Sequence, residues 1–277
     1  MGTKTSSGFT IIESMLFLAI SGLLVIVLVA GVGASVNIQR YQDATQSFKE
    51  LVQRQYTALS NVENGRDNNW TCAANADPVP GGDEIRGQSE CVMVGKYMRI
   101  DRGDISIYTV LARKTSNSIQ VNDILRLRNN YILNASDDGV NVLEQRQMEW
   151  GTQIAKPSSG AGSGTPITPR VAGILFVRSP DSGQIYTFSS NTIPAVDSVS
   201  NATFTNMLVA GDVIPGQGAQ MLCIEAGASG MLVNTRVGLY IPAFASGISA
   251  PELRTSDTLP ALASSPAWAA DGGVPKC

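Results

Sequence analysis

Residues Ser14 to Val36 form an uncharged, mostly apolar run of 23 residues, and a single carboxylate, Glu13, stands at its head. At about 1.5 Å per residue a helix of that length spans the roughly 30 Å hydrocarbon core of a bilayer. A soluble fold has no ready place for so long an all-round apolar helix, so membrane is the first expectation. An ionisable residue at the membrane boundary is costly unless it is matched, which makes Glu13 a functional residue by default. Two plainer accounts compete. A cleaved secretory signal would use Val32-Gly33-Ala34 before Ser35, but its apolar region runs to about 15 residues and its leading part is basic. A plain uncleaved anchor explains the length and leaves the acid without a role.

The residues around the acid narrow the choice. Gly8-Phe9-Thr10-Ile11-Ile12-Glu13, preceded by a short polar stretch with Lys4 and followed by the apolar helix, resembles the class III signal of type IV pilins and type II secretion pseudopilins. The resemblance implies a leader over residues 1–8, cut by a prepilin peptidase between Gly8 and Phe9, with methylation of the new amino-terminal phenylalanine. Glu13 then becomes the fifth residue. Its implied partner is the terminal amine of a neighbouring subunit, so that a buried carboxylate rewards one register of assembly. The implied location is the cytoplasmic membrane, crossed once with the head outside, and then an extracellular or periplasmic filament. The implied partners are the peptidase, the membrane before assembly, and other pilin subunits through the helix. Many pilins carry a proline inside this segment, whereas no proline occurs here between Phe9 and Asp77. Gly22, Gly31 and Gly33 are the residues left to soften the helix, each at about 1 kcal/mol. Positive-inside asymmetry is thin, with Lys4 facing Arg40 across the run, so orientation rests on the motif.

Beyond Val36 the chain becomes polar but keeps helical spacing. Tyr41, Ala44, Phe48, Leu51, Val52, Gln55, Tyr56 and Leu59 fall mostly three and four residues apart and mark one face. One continuous helix is expected over residues 9–62, with assembly and membrane functions at 14–36, an amphipathic second half packed on a head, and Asn64-Gly65 as its stop. The expected fold class is α+β: this helix against an antiparallel β-sheet head over 63–277, pilin-like in outline.

All four cysteines, Cys72, Cys91, Cys223 and Cys277, lie C-terminal to the apolar run, which suits disulfides in an oxidising compartment. Three connectivities are open; we favour Cys72 with Cys91 and Cys223 with Cys277. The first closes a loop-like stretch over 65–91, where a crosslink contributes about 3 kcal/mol on the chain-entropy model. The second pins the end of the chain to a strand.

Strand patterns follow at Cys91 to Ile100, Ile105 to Arg113 and Ile124 to Arg128. Asn130 to Ala135 and Val140 to Trp150, around Asp137-Asp138-Gly139, suggest a hairpin. Residues 157–169 are a flexible loop rich in Gly, Ser and Pro. Val171 to Arg178 with Gln184 to Ser189 is a second hairpin, and Met221 to Glu225 with Met231 to Ile241 a third. From Thr255 the chain is expected to run irregularly over the surface.

Chemistry is sparse. The 277 residues include no histidine, which excludes His-dependent triads and zincin motifs, and no nucleophile spacing is evident. No enzyme activity, metal or cofactor is expected. A net charge of −3 lends no support to nucleic acid as a partner. Arg102-Gly103-Asp104 is better read as a turn than as an adhesion tripeptide. Asn69, Asn134 and Asn201 head glycosylation-type triplets that a prokaryotic-type signal makes coincidental. Asn134, Asp137 and Asp138 lack the rest of a calcium loop. The expectation is thus a structural subunit of a pilus or pseudopilus, its large head tilting it toward a minor pilin. The alternatives are a pilus-associated binding module for adhesion or DNA uptake and, behind it, a surface enzyme on an ordinary anchor.

Overall fold

The structure, a computed structural model, describes residues 10–61, 70–82, 89–120, 122–136, 143–155, 171–190, 201–212, 220–227, 237–241 and 247–255. One helix, α1 (Ile11–Ser60), runs 50 residues without a break, through Gly22, Gly31 and Gly33 alike. Its C-terminal end comes at Asn61, whose N–H donates to the Thr57 carbonyl; the predicted stop at Asn64-Gly65 lies outside the described residues. No basic residue occupies the last turn of α1. Arg178, brought in from the sheet, supplies the cation instead, its Nη1 donating to the Leu59 carbonyl at 3.3 Å.

A small ribbon comes next, β1 (Trp70–Cys72) paired with β2 (Pro78–Pro80), within the stretch expected to be loop. Then β3 (Cys91–Asp101) and β4 (Asp104–Lys114) make a long hairpin turned by Arg102 and Gly103, with Arg102 at a φ of 57°. Residues 124–128 are not a strand. They belong to the helix α2 (Asp123–Asn130), capped by the Asn122 side chain, which accepts from the Leu125 N–H. Ile124 and Leu127, three apart, face the core, and Ile-Leu-Arg-Leu-Arg fits a helix as well as a strand until that cap is weighed.

The hairpin expected around Asp137-Asp138-Gly139 is also corrected. The strands β5 (Tyr131–Ser136) and β6 (Leu143–Gln147) do not pair with each other. Both lie antiparallel on β4, end to end: Thr109 faces Ser136 and Tyr108 faces Leu143. Since β4 is 11 residues long, its edge accommodates two short strands in succession, and the partner rather than the turn residues decides their direction. A 3₁₀ turn (Glu149–Gly151) then leads into β7 (Gln153–Ala155).

After the 157–169 stretch, which lies outside the described residues, β8 (Val171–Arg178) and β9 (Ile185–Ser190) form the expected hairpin. Helix α3 (Asn201–Asp212) was not expected. The strands β10 (Gln220–Glu225) and β11 (Val237–Ile241) pair as anticipated, and β12 (Glu252–Thr255) adds a strand at the beginning of the tail. Two larger sheets result: β5-β4-β3-β8-β9 with β6 also on β4, and β12-β11-β10-β7.

The first of these sheets is covered on both faces. Met98, Ile100, Ile105, Ile107, Ala172, Ile174 and Phe176 point to a core shared with α1 and with Leu222, Ile224, Leu239 and Ile241 of the second sheet. Tyr97, Tyr108, Val110, Leu175 and Val177 point the other way, onto Ile124 and Leu127 of α2 and Phe204, Met207 and Leu208 of α3. Strict alternation along β4 and β8 produces this division. Near Met93 the β3–β4 register shifts by a bulge, and Gly95 sits where a Cβ would collide with the Phe176 carbonyl. The molecule is α+β, with one N-terminal helix long and apolar enough to cross a membrane.

Candidate functional site

The two halves of α1 meet different surroundings. From Ile11 to Val32 the large apolar side chains are exposed, and none of the most apolar stretch is covered by the rest of the chain. The hydroxyls of Ser14 and Ser21 donate to the carbonyls of Thr10 and Leu18 on their own helix, which leaves them satisfied without water. From Tyr41 onward the predicted face is buried: Tyr41, Ala44, Phe48, Val52, Gln55, Tyr56 and Leu59 are all inside, with Leu51 partly so.

Two tyrosines fasten this half to two sheets. The Tyr41 hydroxyl donates to the Ile224 carbonyl at 2.6 Å and accepts from the Val237 N–H at 2.9 Å, so it enters the end of the β10–β11 ladder. The Tyr56 hydroxyl shares a 2.8 Å hydrogen bond with Thr187 on β9, and its ring meets Phe176 edge-on. Burial pushes the Tyr56 phenol up to about 12, with the Thr187 hydrogen bond pulling weakly the other way. Tyr97, on the far face of the sheet, is pushed up to about 12 as well, again mainly by burial, and its hydroxyl has no hydrogen-bond partner among the described residues.

At the head of α1, Glu13 has a local role that the apolar pattern alone did not suggest. Thr10 is the N-cap: its hydroxyl accepts from the Glu13 N–H at 3.3 Å, and the Glu13 carboxylate accepts from the Thr10 N–H and hydroxyl at 3.4 Å each. This is a capping box, and Thr-x-x-Glu before an apolar run was its visible signature. The contacts are long and exposed, so the carboxylate remains accessible to a stronger partner. Gly8 and Phe9 lie outside the described residues.

Cys72 and Cys91 are joined, tying the β1–β2 ribbon to the start of β3 with Cα atoms 5.3 Å apart. Cys223 in β10 is disulfide-bonded too, and Cys277, its expected partner, lies outside the described residues. The Arg102-Gly103-Asp104 turn is pinned to the chain beside it. Its Arg102 and Gly103 carbonyls accept from the N–H groups of Ile154 and Met148, and Asp104 Oδ1 accepts from Gln147 Nε2. Asn134 is a β5 residue and Asn201 begins α3, while Asn69, Asp137 and Asp138 are outside the described residues. Among the described residues no group of three or more Cys, Asp or Glu is placed to hold a metal ion.

One further feature of the helix's surroundings had no sequence signal. Trp150, in the 3₁₀ turn, adopts a φ of 56° and remains 48% exposed, with the Arg40 guanidinium 4.8 Å from its ring centroid. The pair lies where the exposed half of α1 gives way to the buried half. No family model, curated protein or solved structure matches the chain.

Proposed function

We propose that the chain is a type IV pilin-like structural subunit, of the minor kind, held in a membrane by the first half of α1 and later packed by that half into a pilus or pseudopilus. The observation that carries the reading is one continuous helix, Ile11–Ser60, whose exposed apolar half starts within the sequence motif Gly-Phe-Thr-Ile-Ile-Glu and whose second half is built into a folded head. A plain anchor requires neither the motif nor an acid at the first turn. In this account the prepilin peptidase cuts after Gly8, and Phe9 supplies a new amine one residue before the cap. Glu13, loosely held by Thr10 in the isolated subunit, exchanges those long contacts for a charged amine on a neighbour.

The pairing is tested by Glu13→Val. Processing is expected to proceed, because the scissile bond and its flanking residues are unchanged, while incorporation into sheared filaments falls at least tenfold. Normal incorporation of the processed variant would rule out the pairing. Thr10→Val separates the two roles of the acid: it breaks the capping box and leaves Glu13 free for a neighbour, so incorporation is expected to stay near normal.

A further inference from the structure

The turn that presents Trp150 is built with more constraint than a surface connection requires. Trp150 and Gly151 take successive positive φ values of 56° and 69°, and a bulky residue seldom enters that region. Both flanks are anchored inside: Met148 and Thr152 are buried, the Met148 N–H donates to the Gly103 carbonyl at 2.8 Å, and the Thr152 N–H and hydroxyl both donate to the Glu149 carbonyl. Glu149 Oε1 accepts from the Ser47 hydroxyl of α1 at 2.9 Å. Gly227 permits the close approach, since a Cβ there would strike the Gly151 carbonyl. The surrounding chain thus holds one strained indole with about half of its surface, 48%, left exposed.

Its position along α1 says what meets it. Arg40 is the first charged residue after Glu13. With Glu13 at one edge of a roughly 30 Å hydrocarbon layer, the other edge falls near Gly33; with Val36 at that edge instead, the whole helix shifts toward the Glu13 side by about three residues. Arg40 then stands about 6 to 10 Å above the hydrocarbon, at the level of the lipid headgroups. Among the described residues its guanidinium stacks over the Trp150 ring. An indole with one apolar body and one N–H suits the bilayer interface, and a guanidinium stacked on its face keeps its N–H edge for phosphate.

We propose that Trp150 and Arg40 form a seat for the headgroup layer of the bilayer that holds α1, Arg40 donating to lipid phosphate and Trp150 lying at the interface, so that the head stands at a set height before assembly. The proposal rests on the reading of α1 as membrane-spanning. The Glu13 register and the seat bracket the apolar run from its two ends.

The test uses the full chain with Trp70→Phe and Trp268→Phe, leaving Trp150 as the only indole, in vesicles of phosphatidylcholine and phosphatidylglycerol. Bromines placed high on the acyl chains are expected to quench Trp150 at least twofold more than bromines near the bilayer centre. Arg40→Gln is expected to raise quenching by aqueous acrylamide at least twofold, with an unchanged melting transition in detergent. If the chain floats with the vesicles yet lipid bromines do not quench Trp150, the seat is wrong and the spanning helix survives. Protection of Trp150 only on filament assembly would likewise overturn it, in favour of a neighbouring subunit. If the chain does not float at all, the spanning helix and the seat both fail.

Discussion

Phe17 and Phe48 sit on the same helix, 69% and 3% exposed respectively. Nothing in backbone geometry separates them, since α1 is continuous from Ile11 to Ser60. The difference lies in what the rest of the chain supplies: two sheets around the second half and, among the described residues, nothing around the first. A helix that leaves a phenylalanine and most of its aliphatic residues bare is incomplete in water, and this half is long and apolar enough to cross a membrane. The second half is where the head obtains its core, because Phe48, Val52 and Tyr56 lie between the sheets rather than beside them.

The sharpest way to break this comparison is by truncation. Removal of residues 1–35 is expected to leave a head that melts cooperatively at nearly the same temperature as the whole chain in detergent. Removal through Ser60 is expected to abolish the transition in circular dichroism. A head that still folded without Tyr41 to Leu59 would contradict the division.

Point changes grade the same contrast. Phe48→Ala should cost about 3–5 kcal/mol in urea unfolding, whereas Phe17→Ala in detergent should fall within about 0.5 kcal/mol of the parent. Loss of the staple, by Cys72→Ser with Cys91→Ser, should cost about 3 kcal/mol by the loop-closure argument, its separation being 19 residues.

Alkaline pH probes the two buried phenols. Each has its folded value pushed up from 10.0 to about 12, so the unfolded chain releases the proton first. The stability that burial of the neutral phenol contributes is fully present below pH 10 and lost as pH rises through about 12, up to roughly 2–3 kcal/mol per residue. Tyr97→Phe should remove one share of that slope and, by deleting a buried hydroxyl with no partner among the described residues, raise neutral-pH stability by about 1 kcal/mol. Tyr56→Phe should lower it by about 1 kcal/mol, because Thr187 loses a partner. A small effect is expected at the helix end, where Arg178→Gln should cost about 0.5–1 kcal/mol through the Leu59 carbonyl.

The parts legible beforehand were those that sequence periodicity encodes directly. The buried face from Tyr41 to Leu59 follows from helical spacing over five turns, and β3, β4, β8 and β9 from alternation across tight connections. Helix α2 was misread because five residues from Ile124 satisfy two periods at once, and only Asn122 distinguished them. Phe204, Met207 and Leu208 in α3 carry a readable helical spacing that their Asn- and Thr-rich surroundings obscured. The succession of β5 and β6 along β4 is a long-range pairing, which no local pattern specifies. Thr10 was readable as the partner of Glu13, while the pairing of Arg40 with Trp150 joins residues 110 positions apart and exists only in the fold.

The role proposed for Glu13 depends on where the mature chain begins. Intact mass and amino-terminal sequencing of the protein from native membranes or filaments measure this directly. A start at Phe9 with one added methyl group is the expected result, making Glu13 the fifth residue from the new end; a start at Met1 or at Ser35 would contradict it.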